Sequence, residues 1–120
     1  MNIRVYYEDT DVSGNVYHSN YLNYCERARS EIFFSRGESP ILEEGHFVVS
    51  SISAKFIKSA RFGELLTVKT EPIQVRKASL TLLQTIYRDE VKIFEAEVKL
   101  AFLDGEKPTK LPERVVKLFN

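Results

Sequence analysis

Asn20-Tyr21-Leu22-Asn23-Tyr24-Cys25-Glu26-Arg27-Ala28-Arg29-Ser30-Glu31-Ile32-Phe33-Phe34-Ser35-Arg36 is the one stretch of this chain with a sustained helical period. Tyr21, Leu22, Cys25, Ala28, Ile32 and Phe33 recur at helical spacing, and Asn23, Glu26, Arg27, Ser30 and Glu31 fall on the opposite side. Arg27 and Glu31 are spaced to pair one turn apart. Ser19 or Asn20 is placed to cap the helix, Gly37 to end it, and Pro40 to make its resumption costly. Ahead of it, Ile3-Arg4-Val5-Tyr6-Tyr7 is β-branched and aromatic and reads as a strand.

Beyond Gly45 the apolar period changes from 3.6 to 2. Val48, Ile52, Ala54 and Phe56 alternate with polar partners until Phe56-Ile57 breaks register, which predicts a bulge there. Leu66 and Val68 lie in a second strand, whose Pro72 implies an edge or bulge near its end. The short Arg76-Lys77-Ala78 turn leads into a third run, Ser79 to Tyr87. In the fourth, Phe94, Ala96, Val98, Leu100 and Phe102 face one way and Glu95, Glu97 and Lys99 the other. Asp104-Gly105 ends that strand, and Pro112 is placed to start a short C-terminal helix. One long helix wrapped by four or five long antiparallel strands is a two-layer α+β architecture, one domain over residues 1–120. Leu65, Ile73, Leu83 and Tyr87 occupy the alternate register. A partly apolar outer face predicts a second packing surface, hence an oligomer.

Composition narrows the function classes. Lys and Arg total 17 and so do Asp and Glu, so no basic field exists to attract nucleic acid. The single cysteine excludes an internal disulfide and fits a reducing compartment. No apolar run approaches a membrane span, and the N-terminus opens into a strand pattern instead of a secretory signal. A cytoplasmic location is the simplest expectation.

Between strand and helix runs Tyr6-Tyr7-Glu8-Asp9-Thr10-Asp11-Val12-Ser13-Gly14-Asn15-Val16-Tyr17-His18. A strand-to-helix junction presents outward N–H groups and favours developing negative charge, which suits acyl chemistry. Asp9-x-Asp11-x-Ser13-Gly14 begins like a calcium loop, but Asn20 stands where that loop needs a bidentate Glu and a strand replaces the entering helix. A Mg²⁺ site on Asp9 and Asp11 lacks a glycine-rich phosphate loop beside it. A lone Asp in a turn most often bonds backbone amides two residues on. With two Asp, Glu8 and His18 this close together, the reading is instead that Asp9 braces the turn and Asp11 points into a cleft. His18 has a ring that could position Asp11 or a water, and a backbone N–H that could polarise a carbonyl. Tyr7 could join the cluster or sit in the core.

Other constellations carry less. Seven residues of helix put Cys25 roughly 10.5 Å from His18, too far for a cysteine–histidine pair, so Cys25 reads as a small buried hydrophobe. No Gly-x-Ser-x-Gly elbow is present. His46 has no second ligand at metal spacing and reads as a surface or packing residue.

Tyr7-x-Asp9-Thr10-Asp11-x-x-Gly14-x-Val16-Tyr17-His18-x-x-Tyr21, with Glu26-Arg27-Ala28-Arg29 after it, resembles the YbgC branch of the 4-hydroxybenzoyl-CoA thioesterase family. The N-terminal motif fixes residue types at more than eight positions, and the resemblance runs from Arg4 to about Pro112. It implies a hotdog fold and acyl-CoA hydrolysis without metal or redox cofactor. Asp11 would be the catalytic carboxylate, as nucleophile or general base, with the N–H at His18 on the carbonyl and Tyr7 beside them. Tyr17 and the loop Lys58-Ser59-Ala60-Arg61-Phe62-Gly63 would bind substrate, the loop reaching across a dimer interface. Lys58 and Arg61 would meet the CoA phosphates, with Arg76 and Lys77 as alternatives. Tyr21, Tyr24, Phe33 and Phe34 would line or block the acyl groove. The implied assembly is a homodimer or homotetramer. Implied partners are acyl carrier protein or envelope-associated (Tol-Pal) proteins. The rival reading is a non-hydrolytic acyl-binding or interaction module of the same fold serving the envelope or phospholipid synthesis. Further off stands a metal-dependent phosphate enzyme on Asp9 and Asp11.

Overall fold

The computed structural model describes residues 1–120. Its antiparallel sheet comprises β1 (Asn2–Arg4), β2 (His46–Phe56), β3 (Leu65–Val75), β4 (Ser79–Arg88) and β5 (Val91–Asp104), in the order β1-β3-β4-β5-β2, with β6 (Lys107–Pro108) paired to β5. The helix α1 (His18–Phe34) packs on one face, and α2 (Glu113–Leu118) follows Pro112 as its cap. Phe94, Ala96, Val98, Leu100 and Phe102 of β5 are all buried, as their strict alternation requires. They meet Tyr21, Tyr24, Cys25, Ala28 and Phe33 of α1, and the Tyr21 ring stacks on Phe94 with centroids 5.2 Å apart. A long helix held by a long-stranded antiparallel sheet is the hotdog arrangement.

Several local expectations are corrected. The first strand stops at Arg4 because Asp9 Oδ2 takes the Tyr6 N–H, and residues Tyr7–Asp9 close into a 3₁₀ turn. Tyr7 is therefore an exposed turn residue, not a strand or core residue. The helix begins at His18, two residues before Asn20, with Tyr17 as N-cap and no side-chain cap. Its entry is anchored by the Asp9 carbonyl, which accepts the Tyr17 N–H and Asn20 Nδ2, each at 2.9 Å. At the other end Gly37, at φ +72°, lets Glu38 N–H reach back to the Phe33 carbonyl. Arg27 and Glu31 form no ion pair. Tyr24, read from sequence as a groove residue, is wholly buried.

Within β2 an unexpected bulge lies at Ser50: Val49 pairs with Leu100 and Ser51 with Lys99, leaving Ser50 unpaired. The bulge inverts the alternation, so Phe47 and Val49 face the core side before it and Ile52, Ala54 and Phe56 after it. Val48, opposite Ala101, consequently turns outward. At Ile57 the regular ladder ends, the Ile57 and Lys58 amides both donating to the Ile93 carbonyl in the two-against-one pattern of a bulge. The irregularity expected near Pro72 is present at Ile73.

One polar group is embedded in the core. Gln84 of β4 is fully buried, its Nε2 donating to the Cys25 carbonyl at 2.9 Å and to Thr70 Oγ1 at 3.0 Å. Its Oε1 accepts from Arg29 Nη1 at 2.8 Å. Every polar atom of the amide is thus engaged, which is the condition for tolerating it there.

Candidate active site

The segment between the 3₁₀ turn and α1 folds on itself through a Thr10–Val16 bridge. Asp11 N–H bonds the Asn15 carbonyl, Gly14 N–H bonds the Asp11 carbonyl, and Gly14 takes φ +84° to complete the turn. The turn displays Asp11 at its exposed edge. Asp11 Oδ1 accepts the Ser13 N–H at 2.8 Å and the Ser13 hydroxyl at 2.5 Å, leaving Oδ2 without a protein partner. The Ser13 hydroxyl first and its N–H second hold the Asp11 carboxyl below the usual carboxylate range, and the Asn15 backbone and then the Arg61 guanidinium add to this. Asp11 is an ionised carboxylate with one free oxygen.

Asp9 plays the bracing role. It is 7% exposed, its carboxylate bonds the Tyr6 N–H, and its carbonyl anchors the helix entry. Behind it, burial pushes the Tyr24 phenol above its ordinary value and the neighbouring Asp9 carboxylate adds to that, although the hydroxyl finds no hydrogen-bond partner.

The segment 58–63 lies against this turn within the same chain. Val16 N–H bonds the Ala60 carbonyl at 2.9 Å, and Phe62 N–H bonds the Gly14 carbonyl at 3.1 Å. Arg61 Nη1 donates to Asn15 Oδ1 at 2.9 Å and Nη2 to the Ser13 carbonyl at 3.2 Å. Its guanidinium is thus engaged with the Asp11 turn. Ala60 is wholly buried, its N–H donating to the Tyr21 hydroxyl at 2.9 Å, so its side chain is core and not groove. Gly63, at φ +84°, spends its N–H on Val5 and its carbonyl on Arg4. A second subunit is not needed to bring this loop to Asp11.

Two hollows border the paired backbone of 14–16 and 60–62. The first, about 480 Å³, is lined by Tyr7, Thr10, Asp11, Val12, Gly14 and Phe62. The Tyr7 and Phe62 rings meet edge to face across it at 5.9 Å. The second, about 280 Å³, takes in Val16, His18, Tyr21, Phe56, Ile57, Lys58 and Ser59. His18 borders this second hollow, and its ring packs on Tyr17 with centroids 4.3 Å apart. No hydrogen bond joins the Asp11 carboxylate to the His18 ring, the carboxylate's partners being the Ser13 N–H and hydroxyl. The His18 and Ser19 amides, at the first turn of α1, donate to no protein acceptor. Tyr17, half exposed, lines neither hollow.

The sequence reading missed Ser13 and Asn15. Ser13 was legible as the residue two on from an Asp, the spacing of an Asx turn. Asn15, which engages Arg61 across 46 residues, had no local signal. No three His, Cys, Asp or Glu side chains converge as metal ligands would. Burial pushes the Cys25 thiol up to about 11, which leaves it a neutral, packed side chain.

Residues 13–94 match the family model of the thioesterase superfamily. Over 129 residues the chain is 44% identical to the acyl-CoA thioesterase YbgC of Helicobacter pylori, covering 100% of this chain and 96% of that protein. It is 37% identical over 124 residues to the acyl-CoA thioesterase YbgC of Haemophilus influenzae, covering 98% and 91% respectively. Among solved structures, a probable thioesterase from Bartonella henselae superposes with a TM-score of 0.86 at 36% identity, over 93% of this chain and 97% of that one.

Proposed function

The chain belongs to the thioesterase superfamily, and from that membership we propose that it is an acyl-CoA thioester hydrolase in which Asp11 and the first turn of α1 do the chemistry. The observation that carries this reading is the free Oδ2 of an ionised Asp11, displayed on a turn that leads within seven residues to two unused helix amides. The substrate thioester lies along the 14–16 and 60–62 pairing, between the two hollows. Asp11 Oδ2 delivers attack on the carbonyl carbon, directly or through a water, and the His18 N–H at the positive helix end stabilises the developing oxyanion. In direct attack the C–S bond breaks to leave an Asp11 mixed anhydride and the CoA thiolate, which takes a proton from solvent, and a water then hydrolyses the anhydride. In the water route Asp11 takes the proton of the attacking water, and the departing sulfur is protonated as the C–S bond breaks. Either route consumes one water and gives the carboxylic acid and CoA thiol. Lys58, at the rim of the second hollow, supplies positive charge for the CoA phosphates, while Arg61 holds the Asp11 turn in place.

The working unit is a homo-oligomer. β2 is an edge strand with β5 on one side only, and its core-side residues Val49, Ile52 and Phe56 are 42%, 42% and 55% exposed. A second copy would cover them and the unpaired ladder groups. The deciding experiment is hydrolysis of acyl-CoA thioesters from acetyl to palmitoyl, followed by free thiol release, for the wild type and Asp11→Asn. Thiol release by the wild type and its loss in Asp11→Asn supports the reading. Absence of turnover across the whole panel would leave the acyl-binding module in its place.

A further inference from the structure

On the far side of α1 from Asp11 lies a cavity of about 430 Å³ that the proposed chemistry does not use. Phe33, Ile41, Leu42, Phe47 and Phe119 supply its apolar walls, and Arg29 lines it with them. Arg29 is half-buried and forms no ion pair. Only its Nη1 has a protein acceptor, Gln84 Oε1 at 2.8 Å. Nε and Nη2 make no hydrogen bond to the protein, and Arg29 is among the residues lining this cavity. Glu26, one turn earlier, and His46 also border it, both exposed.

The half-buried guanidinium has no direct ion pair and feels the exposed Glu26 carboxylate only through space, which leaves it capacity for a further anion. The edge left open by the Gln84 bond is the Nε–Nη2 edge, which accepts a carboxylate side-on through two parallel bonds. Behind that edge the cavity is apolar and of a size that takes a small ligand. We propose that this cavity binds an apolar monocarboxylate, its carboxylate on Arg29 and its hydrocarbon body between Phe33, Phe47 and Phe119. Gln84, fixed by Cys25 and Thr70, holds the guanidinium in the required orientation. The site does not depend on hydrolysis. A chain that hydrolyses nothing would still bind the carboxylate, so the two readings fail separately.

The test titrates octanoate and 1-octanol into the intact protein by calorimetry and maps amide shifts by NMR. Octanoate should bind at least about tenfold more tightly than the uncharged alcohol, with shifts at Arg29, Phe33 and Phe119. Arg29→Gln retains a donor for Gln84 Oε1 and should abolish the preference for the acid. Ile41→Trp, at an exposed rim position, should obstruct the cavity and weaken octanoate without disturbing the core. Equal affinity for acid and alcohol, shifts confined to Asp11 and His18, or undiminished octanoate binding by Ile41→Trp would each overturn the proposal.

Discussion

Asp11 bonds its own turn through one carboxylate oxygen and keeps the other free, so structural and chemical roles coexist in one side chain. Asp11→Asn preserves the shape and removes the charge. It should lower kcat and kcat/KM together by at least about 10²-fold, with little change in substrate binding. Thiol-release kinetics check this, and near wild-type kcat would refute the assignment. Because Asp11 sits below the ordinary carboxylate range, it is ionised at neutral pH, and activity falls only as acid protonates it through that lowered value. Removing a stabilising neighbour raises its folded pKa, so the acid limb of the kcat/KM profile must move to higher pH. Ser13→Ala should move it further than Arg61→Gln, following the order of their contributions. An unmoved limb in Ser13→Ala would exclude Asp11 as the titrating group. His18 borders a different hollow from Asp11 and makes no hydrogen bond to it, so His18→Ala, which keeps the backbone amide, should cost less than about tenfold. A folded, inactive His18→Ala would transfer the role to the ring.

At the scale of elements, the sequence announced the repeating parts and concealed the junctions. The fourth strand from Phe94 to Phe102 was readable because alternate residues are apolar and face a core. α1 was readable because its buried face recurs every three to four residues. Its N-terminal end and the short β1 depended on contacts that periodicity does not encode, chiefly the Asp9 carboxylate and carbonyl, whereas Gly37 marked its C-terminal end. Asp9 as the brace and Asp11 as the displayed carboxylate were both legible, since one Asp precedes the helix entry and the other opens an Asx turn. The contacts of Arg61 with Asn15 and the Ser13 carbonyl had no local signal, because these acceptors are 46 and 48 residues away. Gln84 gave no sequence signal either: it occupies a core-facing position of β4, where an apolar residue would satisfy the pattern. Gln84→Leu would strip Arg29 Nη1 of its acceptor and should destabilise the fold by on the order of 2 kcal/mol, read by urea unfolding. Unchanged stability would show that the network contributes nothing net.

For the whole molecule, the sheet, both helices and the segments joining them share a cluster of 23 buried apolar residues, yet the sheet leaves Val49, Ile52 and Phe56 open along the β2 edge. No helix is long and apolar enough to cross a membrane. The apolar residues Leu65 and Ile73 that pointed to assembly from sequence are also about half exposed, at 47% and 48%. Light scattering at micromolar concentration should therefore report a dimer or larger species. Introducing Lys at Ile52 should dissociate it by burying charge in the contact. A wild-type monomer with full specific activity would remove the oligomer from the functional unit.

The unpaired Ser50 also makes β2 tolerant of losing one residue at one place only. Excising Ser50 would join Val49 to Ser51 with every β5 partner retained and every inward side chain still inward, because the bulged residue is surplus to the ladder. Excising Ser53, three positions along, would throw the remainder of the strand out of phase and send Ala54 and Phe56 to the wrong side. Length variation among chains of this architecture should accordingly cluster at that point. A one-codon deletion scan read by soluble expression would find Ser50 as the permissive gap in an otherwise intolerant strand.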